Sequence, residues 1–161
     1  MPDLMTHTLV GLIFGKIKPS FFITDLLKKR MFVIFLSGNM LPDLFSRVPQ
    51  ILFPSYTPFF GPPHTLLGAA VVSYAVSLLF KRERRKIFLY LLAGTVFHFL
   101  LDLTQKDLFG GGYMLFFPLE VRVSFGFMWP EDSVYIMPFL LVITIVLYRL
   151  QIHRYFKGIK K

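Results

Sequence analysis

The chain has 161 residues, 55% of them hydrophobic and 17% aromatic, with Phe 20, Cys 0 and a formal net charge of +9. Apolar residues gathered into blocks between charged or Pro/Gly-rich breaks exclude an ordinary soluble domain and fit one polytopic membrane domain. The absent cysteines exclude disulfides, thiolate ligands and cysteine nucleophiles, and basic residues at block ends favour cytoplasmic membrane flanks over nucleic-acid binding.

Five apolar blocks follow in chain order: Leu4 to Ile17, Met31 to Phe45, His64 to Phe80, Ile87 to Leu103 and Val134 to Leu150. The first lacks a basic lead-in and is interrupted by His7, so it is not read as a signal peptide. The last three approach the ~20 residues a spanning helix needs. The first two are short, and the number of full spans stays open. The fold class expected is all-α: a polytopic membrane bundle of about five helices with a small irregular or hairpin-like outer loop.

Basic clusters set an orientation. Lys16 and Lys18 follow block one, Lys28, Lys29 and Arg30 precede block two, and Lys81, Arg82, Arg84, Arg85 and Lys86 join blocks three and four. His153, Arg154, Lys157, Lys160 and Lys161 follow block five. With five crossings all of these fall on one side, which the positive-inside rule makes cytoplasmic, leaving the N-terminus outside and the C-terminus inside. His153 falls on the cytoplasmic side, away from the other histidines. Two loops face outward. Ser46 to Pro63 is rich in Pro and aromatics. Thr104 to Ser133 carries Gly110, Gly111 and Gly112 and the alternation Val121-Arg122-Val123-Ser124-Phe125, which reads as a strand or hairpin. Tyr113, Trp129 and Tyr135 suit an interface belt.

The polar residues inside the apolar blocks are the main functional signal. His98 and Asp102 are four apart, so on a helix they share a face, and ionisable groups in a membrane segment are costly without a role. Asp102 lies roughly 22 Å along the helix from Ile87. His7, Asp43 and His64 stand at the same outer level of their own blocks. Each has a packing explanation when taken singly: a satisfied core histidine, a helix-end aspartate, a structural His–Asp pair. Five such residues from four segments at one depth point instead to a metal. Mixed imidazole and carboxylate donors suit zinc, with manganese or iron as alternatives, and disfavour an oxygen-only calcium site. Such a metal can activate water as a nucleophile. Asn39 stands one turn before Asp43 and can orient it, Thr104 can cap a helix or bond a ligand, and Arg122 can meet an anionic head group. Asp3, Asp107, Glu120, Glu131 and Asp132 are further outer acids. A short echo, His7-Thr8-Leu9-Val10-Gly11 and His64-Thr65-Leu66-Leu67-Gly68, places a glycine four residues after a histidine, where a neighbouring helix can approach. No nucleophile elbow, phosphate loop or dinucleotide fingerprint is present.

These motifs resemble the YdjM-type family of membrane-bound metal-dependent hydrolases. The family pattern is an N-terminal His before a small residue, Leu-Pro-Asp, a Thr-His-Ser-like element opening a helix, then His-x-x-x-Asp followed by Thr, Gly and a Pro-containing segment. Here these read His7-Thr8-Leu9-Val10-Gly11, Leu41-Pro42-Asp43, Pro63-His64-Thr65, His98-Phe99-Leu100-Leu101-Asp102, then Thr104, Gly111 and Leu115-Phe116-Phe117-Pro118. The likeness runs from His7 to about Gly126. The motif order is also similar to part of the metal site of zinc-dependent phospholipase C. That resemblance implies one metal held by Asp43, His64, His98 and Asp102, and a second held by His7 with Asp102 as a bridge. The chain departs from the pattern at Phe45, where many members carry a second Asp, and at Phe59 and Phe60, where many carry His-Arg.

The expectation is a metal-dependent hydrolase of a phosphoester in a lipid or lipid-linked substrate at the outer membrane face, with Asp102 or Glu120 as base and Asp107 behind them. Membrane lipid is the expected partner and nucleic acid is not. The alternative is a non-enzymatic membrane protein with a structural or degenerate metal site. A metal-ion transporter is disfavoured because the polar residues gather on one side.

Overall fold

The computed structural model describes residues 4–17, 25–106, 114–129 and 131–159. Asp3, Lys18, Asp107, Gly110, Gly111, Gly112, Tyr113, Lys160 and Lys161 lie outside the described residues, as do the side chains of Lys28, His153, Arg154 and Lys157. The described chain forms α1 (Leu4–Ile17), α2 (Asp25–Leu52), α3 (Leu66–Leu78), α4 (Arg84–Leu103) and α5 (Asp132–Ile159), with 3-10 turns at Pro54–Phe60 and Pro62–His64. The all-α expectation holds.

Contacts along the helices give their directions. Gly15 faces Phe32 and Gly11 faces Leu36 and Asn39, so α1 runs antiparallel to α2. Arg30 pairs with Glu83 at 2.9 Å and Gly38 abuts Leu91, so α2 and α4 run the same way. Ser73 meets Thr95 and Tyr74 meets Phe88, so α3 returns against α4. Lys106 caps the Trp129 ring just before α5 while Lys16 caps Tyr148, so α5 runs beside α1. The main core is Met31, Ile34, Phe35, Leu41, Ile87 and Leu91, from α2 and α4.

The α2–α4 crossing depends on small residues and one hydrogen bond. A Cβ on Gly94 would lie 2.0 Å from the Phe35 carbonyl oxygen, and one on Gly38 would lie 2.1 Å from the Leu91 carbonyl oxygen. Glycine therefore lets the two backbones touch. Pro42 lies inside α2. It has no N–H, so the Gly38 carbonyl four residues earlier loses its helical donor. The buried Thr95 hydroxyl of α4 donates to that carbonyl at 3.0 Å. Ser73 of α3 reaches the same hydroxyl at 3.5 Å.

Two expectations need correction. The segment after Phe45 is not a loop: α2 continues to Leu52 and a 3-10 turn follows. Pro42 and Pro49 look like breaks, but each removes a single helical donor, which tertiary contact or solvent replaces. The alternation around Val121 makes no hairpin, and the described residues contain no strand. An isolated bridge joins Gln105 to Met128. The segment instead closes over the end of α4. Phe125 N–H donates to the Leu103 carbonyl at 2.8 Å, and Phe127 and Met128 N–H donate to the Thr104 carbonyl at 2.9 and 3.1 Å. The terminal carbonyls of a helix lack intrahelical donors, and these bonds supply them. Leu115 packs with Ala69, Phe99 and Leu103 in a second core.

Among the described residues, two helical stretches are long and apolar enough to cross a membrane: Arg84–Leu103 and Asp132–Leu150, of 20 and 19 residues. At ~1.5 Å per residue each matches a hydrocarbon core of about 30 Å. Helices α1 and α3, of 14 and 13 residues, are shorter. The α4 window is 44% buried, as a central helix would be, whereas the α5 window is 11% buried. The exposed apolar face of α5, with Val134, Phe139, Val142 and Val146, requires a non-aqueous cover.

Thr95→Val, which removes the hydroxyl at nearly constant shape, is expected to cost about 1 kcal/mol. In a Pro42→Ala background the new N–H can serve the Gly38 carbonyl, so the same change costs less there. Thermal melting of the four proteins in detergent measures the coupling, and equal costs in both backgrounds would refute it.

Candidate metal centre

The five residues singled out by sequence meet at one end of the bundle. Helix α1 supplies His7, α2 Asp43, the second 3-10 turn His64, and α4 both His98 and Asp102. His98 and Asp102 face the same way through their spacing of one helical turn, with Nε2 to Oδ2 at 3.3 Å. His64 is set by the turn. Thr65 Oγ1 donates to the Pro62 carbonyl at 2.7 Å and accepts from Gly68 N–H at 3.1 Å, capping α3. His7 is anchored from behind: the buried Asn39 side-chain amide donates to its carbonyl at 2.8 Å. Asn39 thus ties α1 to α2, a role different from the expected orientation of Asp43. Thr104 donates to the Leu101 carbonyl at 2.6 Å and so serves the helix end.

Three atoms form a tight triangle. His64 Nε2 is 3.3 Å from His98 Nε2 and 3.1 Å from Asp102 Oδ2, and His98 Nε2 is 3.3 Å from the same oxygen. Asp43 Oδ1 lies 3.7 Å from His64 Nε2 and 3.8 Å from His98 Nε2. A tetrahedral ion with bonds of about 2.1 Å holds its ligand atoms about 3.4 Å apart. The donor set and its spacing therefore fit a divalent metal, with His64 and His98 between the carboxylates of Asp43 and Asp102. On the far side, His7 Nε2 is 3.5 Å from Asp102 Oδ1, and its ring stacks on His98 with centroids 4.1 Å apart. The two oxygens of Asp102 thus address different histidines, as a bridging carboxylate would. Two overlapping groups, His7–His98–Asp102 and Asp43–His64–His98, can each hold an ion.

The cluster is open on one side. His7 and His98 side chains are 0% exposed and Asp102 4%, whereas His64 is 10% and Asp43 17% exposed. Beside this mouth stands Arg47, its Nε 3.9 Å from Asp43 Oδ1. Sequence reading passed over Arg47, although it follows Asp43 by one helical turn on α2. Glu120 is exposed in the segment after Pro118, as is Arg122, and the structure does not bring either to the cluster. Glu131 is exposed too, while Asp132 accepts from Trp129 N–H at 2.8 Å at the start of α5. Phe45 and Phe59 are 43% and 76% exposed. Phe45 is two residues past Asp43, about 200° around the helix, and so faces away from the metal donors. The histidine–glycine echo is only partly functional. Gly11 lets α2 approach α1, but Gly68 makes room for the Pro62 carbonyl of its own turn, and His64 precedes the helix.

A family model, YdjM inner membrane protein, matches residues 1–159. No curated protein and no solved structure matches the chain.

His98 is common to both donor groups. Purified wild-type protein is expected to carry a divalent metal, His98→Ala to lose it, and Glu120→Gln to keep the wild-type amount. Elemental analysis decides; equal metal in wild type and His98→Ala would refute the site.

Proposed function

The chain belongs to the YdjM inner membrane protein family, and from that premise we propose that it is a multi-pass membrane hydrolase acting on a phosphoester of a lipid or lipid-linked substrate. The observation that carries the reading is the convergence of His7, Asp43, His64, His98 and Asp102 at ligand spacing, with Asp43 and His64 partly exposed. Zinc is the metal this donor set suits first, with manganese or iron next. When bound it would supply Lewis-acid chemistry that makes water nucleophilic near neutral pH and draws charge from a phosphoryl oxygen.

The chain's own residues divide the remaining work. Asp102, ringed by three imidazoles, is a ligand and not the base. Asp43, also a ligand, is the more exposed of the two carboxylates, and its oxygen not held toward His64 and His98 is the proton acceptor this reading favours. The closed His7–His98 side excludes water from behind the reacting centre. The basic residues Lys16, Arg30 and Lys81 to Lys86 lie at the opposite end of the bundle, which supports a cytoplasmic basic end and an outward-facing site. A second reading, a structural metal in a non-catalytic membrane protein, draws support from the full burial of His7 and His98.

Two experiments test the proposal. Metal-loaded protein is expected to turn over a phospholipid or a generic phosphodiester, and Asp102→Asn to reduce turnover about 100-fold or more. Metal retained without turnover on any such substrate favours the structural reading. Orientation is tested in the cysteine-free chain: Ser55→Cys should react with an impermeant thiol reagent from outside and Arg82→Cys only from inside. Reversed labelling places the site on the cytoplasmic face.

A further inference from the structure

We propose that Arg47 forms an anion subsite at the mouth of the metal centre and restricts its substrates to phosphate esters. This rests on the metal reading above. Among the described residues, Arg47 is the Lys or Arg whose ion pair reaches a carboxylate of the cluster, and at 3.9 Å that pair is too long for a hydrogen bond. The guanidinium is held from its other side. Arg47 Nη1 donates to Gln50 Oε1 at 3.2 Å, and Gln50 Nε2 reaches the buried Ser46 hydroxyl at 3.4 Å. Arg47 Nε is buried and has no hydrogen-bond partner. A buried donor of this kind is costly to leave unmet. Its place beside Asp43, the most exposed of the cluster residues, sets it where a ligand approaching the donors passes it.

Charge specifies the ligand. One divalent ion is neutralised by Asp43 and Asp102, and Arg47 then leaves a net positive mouth. A neutral carboxylic ester or amide draws no ground-state benefit from that charge. A phosphate ester anion does, because a guanidinium fork matches two of its oxygens while a third faces the metal donors. Arg47 is therefore a specificity residue, and Gln50 and Ser46 position it.

The test uses the full chain in detergent, loaded with zinc, with inorganic phosphate as probe and imidazole as a neutral control ligand. Arg47→Gln should weaken phosphate binding about 10-fold or more with metal content and imidazole binding unchanged, and Arg47→Lys should recover part of the loss. Phosphate affinity unaffected by Arg47→Gln overturns the subsite and leaves the metal centre standing. An equal loss of phosphate and imidazole, or a loss of metal, also overturns it, because Arg47 would then act only by shaping the donors. Wild-type protein that takes up no zinc, manganese or iron refutes the metal reading itself, on the metal measurement alone.

Discussion

The bond from Thr95 to the Gly38 carbonyl sets the register on which the site depends. It exists because Pro42 leaves that carbonyl without its helical donor, and it can form because Gly38 and Gly94 let two backbones touch. Asp43 follows Pro42 directly, and His98 lies three residues after Thr95. Locking Gly38 against Thr95 therefore fixes the distance between the first aspartate and the second helix's histidine. A slip of one turn would move these groups about 5.4 Å apart along the axis, beyond any shared ligand. A proline that reads as a helix break is what creates the acceptor that holds the two central helices in place.

The other donors are attached to this pair by separate devices of the same kind. Asn39 spends its amide on the His7 carbonyl, so α1 is fastened at the residue that carries the ligand. Thr65 caps α3 and bonds Pro62, which aims His64 from a short turn rather than from a helix face. The segment from Leu115 to Met128 bonds the open end of α4 just beyond Asp102. Each donor is thus held by a backbone hydrogen bond close to it in sequence. These bonds fix the backbone positions from which the donor side chains extend.

Much of this was legible in the residues, and the failures have physical causes. The bounds of α1 match the first apolar block, and α4 extends the fourth by one turn, because hydrophobic runs without prolines define helices directly. The second block ended too early because Ser46, Arg47 and Pro49 interrupt its apolar run, whereas the helix continues through Pro49 to Leu52. The alternating stretch near Val121 has strand periodicity, but without a partner strand its hydrogen bonds went to a helix end. The five donors were legible because ionisable residues in apolar helices are rare. Arg47 was not, because an arginine near a helix end reads as an ordinary surface charge until its buried Nε is seen. Phe45 looked like a lost ligand, yet its position on the helix points it away from the cluster. The absence of an acid there does not empty the site.

What lies beneath the donors bears on whether the proposed metal centre could pass an ion onward. On α2, Phe35, Asn39 and Asp43 stand on successive turns. Two turns below Asp43 and His7, Phe35 and Phe14 pack with Phe97, with ring centroids 5.0 to 5.6 Å apart. Below them come Met31, Ile34, Ile87 and Leu91. A cation held by His98 and Asp102 therefore faces mostly aromatic and aliphatic carbon on its way toward the basic end, with no ladder of carboxylates among the described residues to replace its hydration. Among the described residues, the Ser73–Thr95–Gly38 chain and Asn39 are polar at that depth, and their hydrogen bonds hold helices together. A site that is polar at one end and sealed by aromatic rings below can bind and process a ligand where it enters. Among the described residues it offers an ion no second place to go, and this asymmetry favours the proposed hydrolase over a transporter.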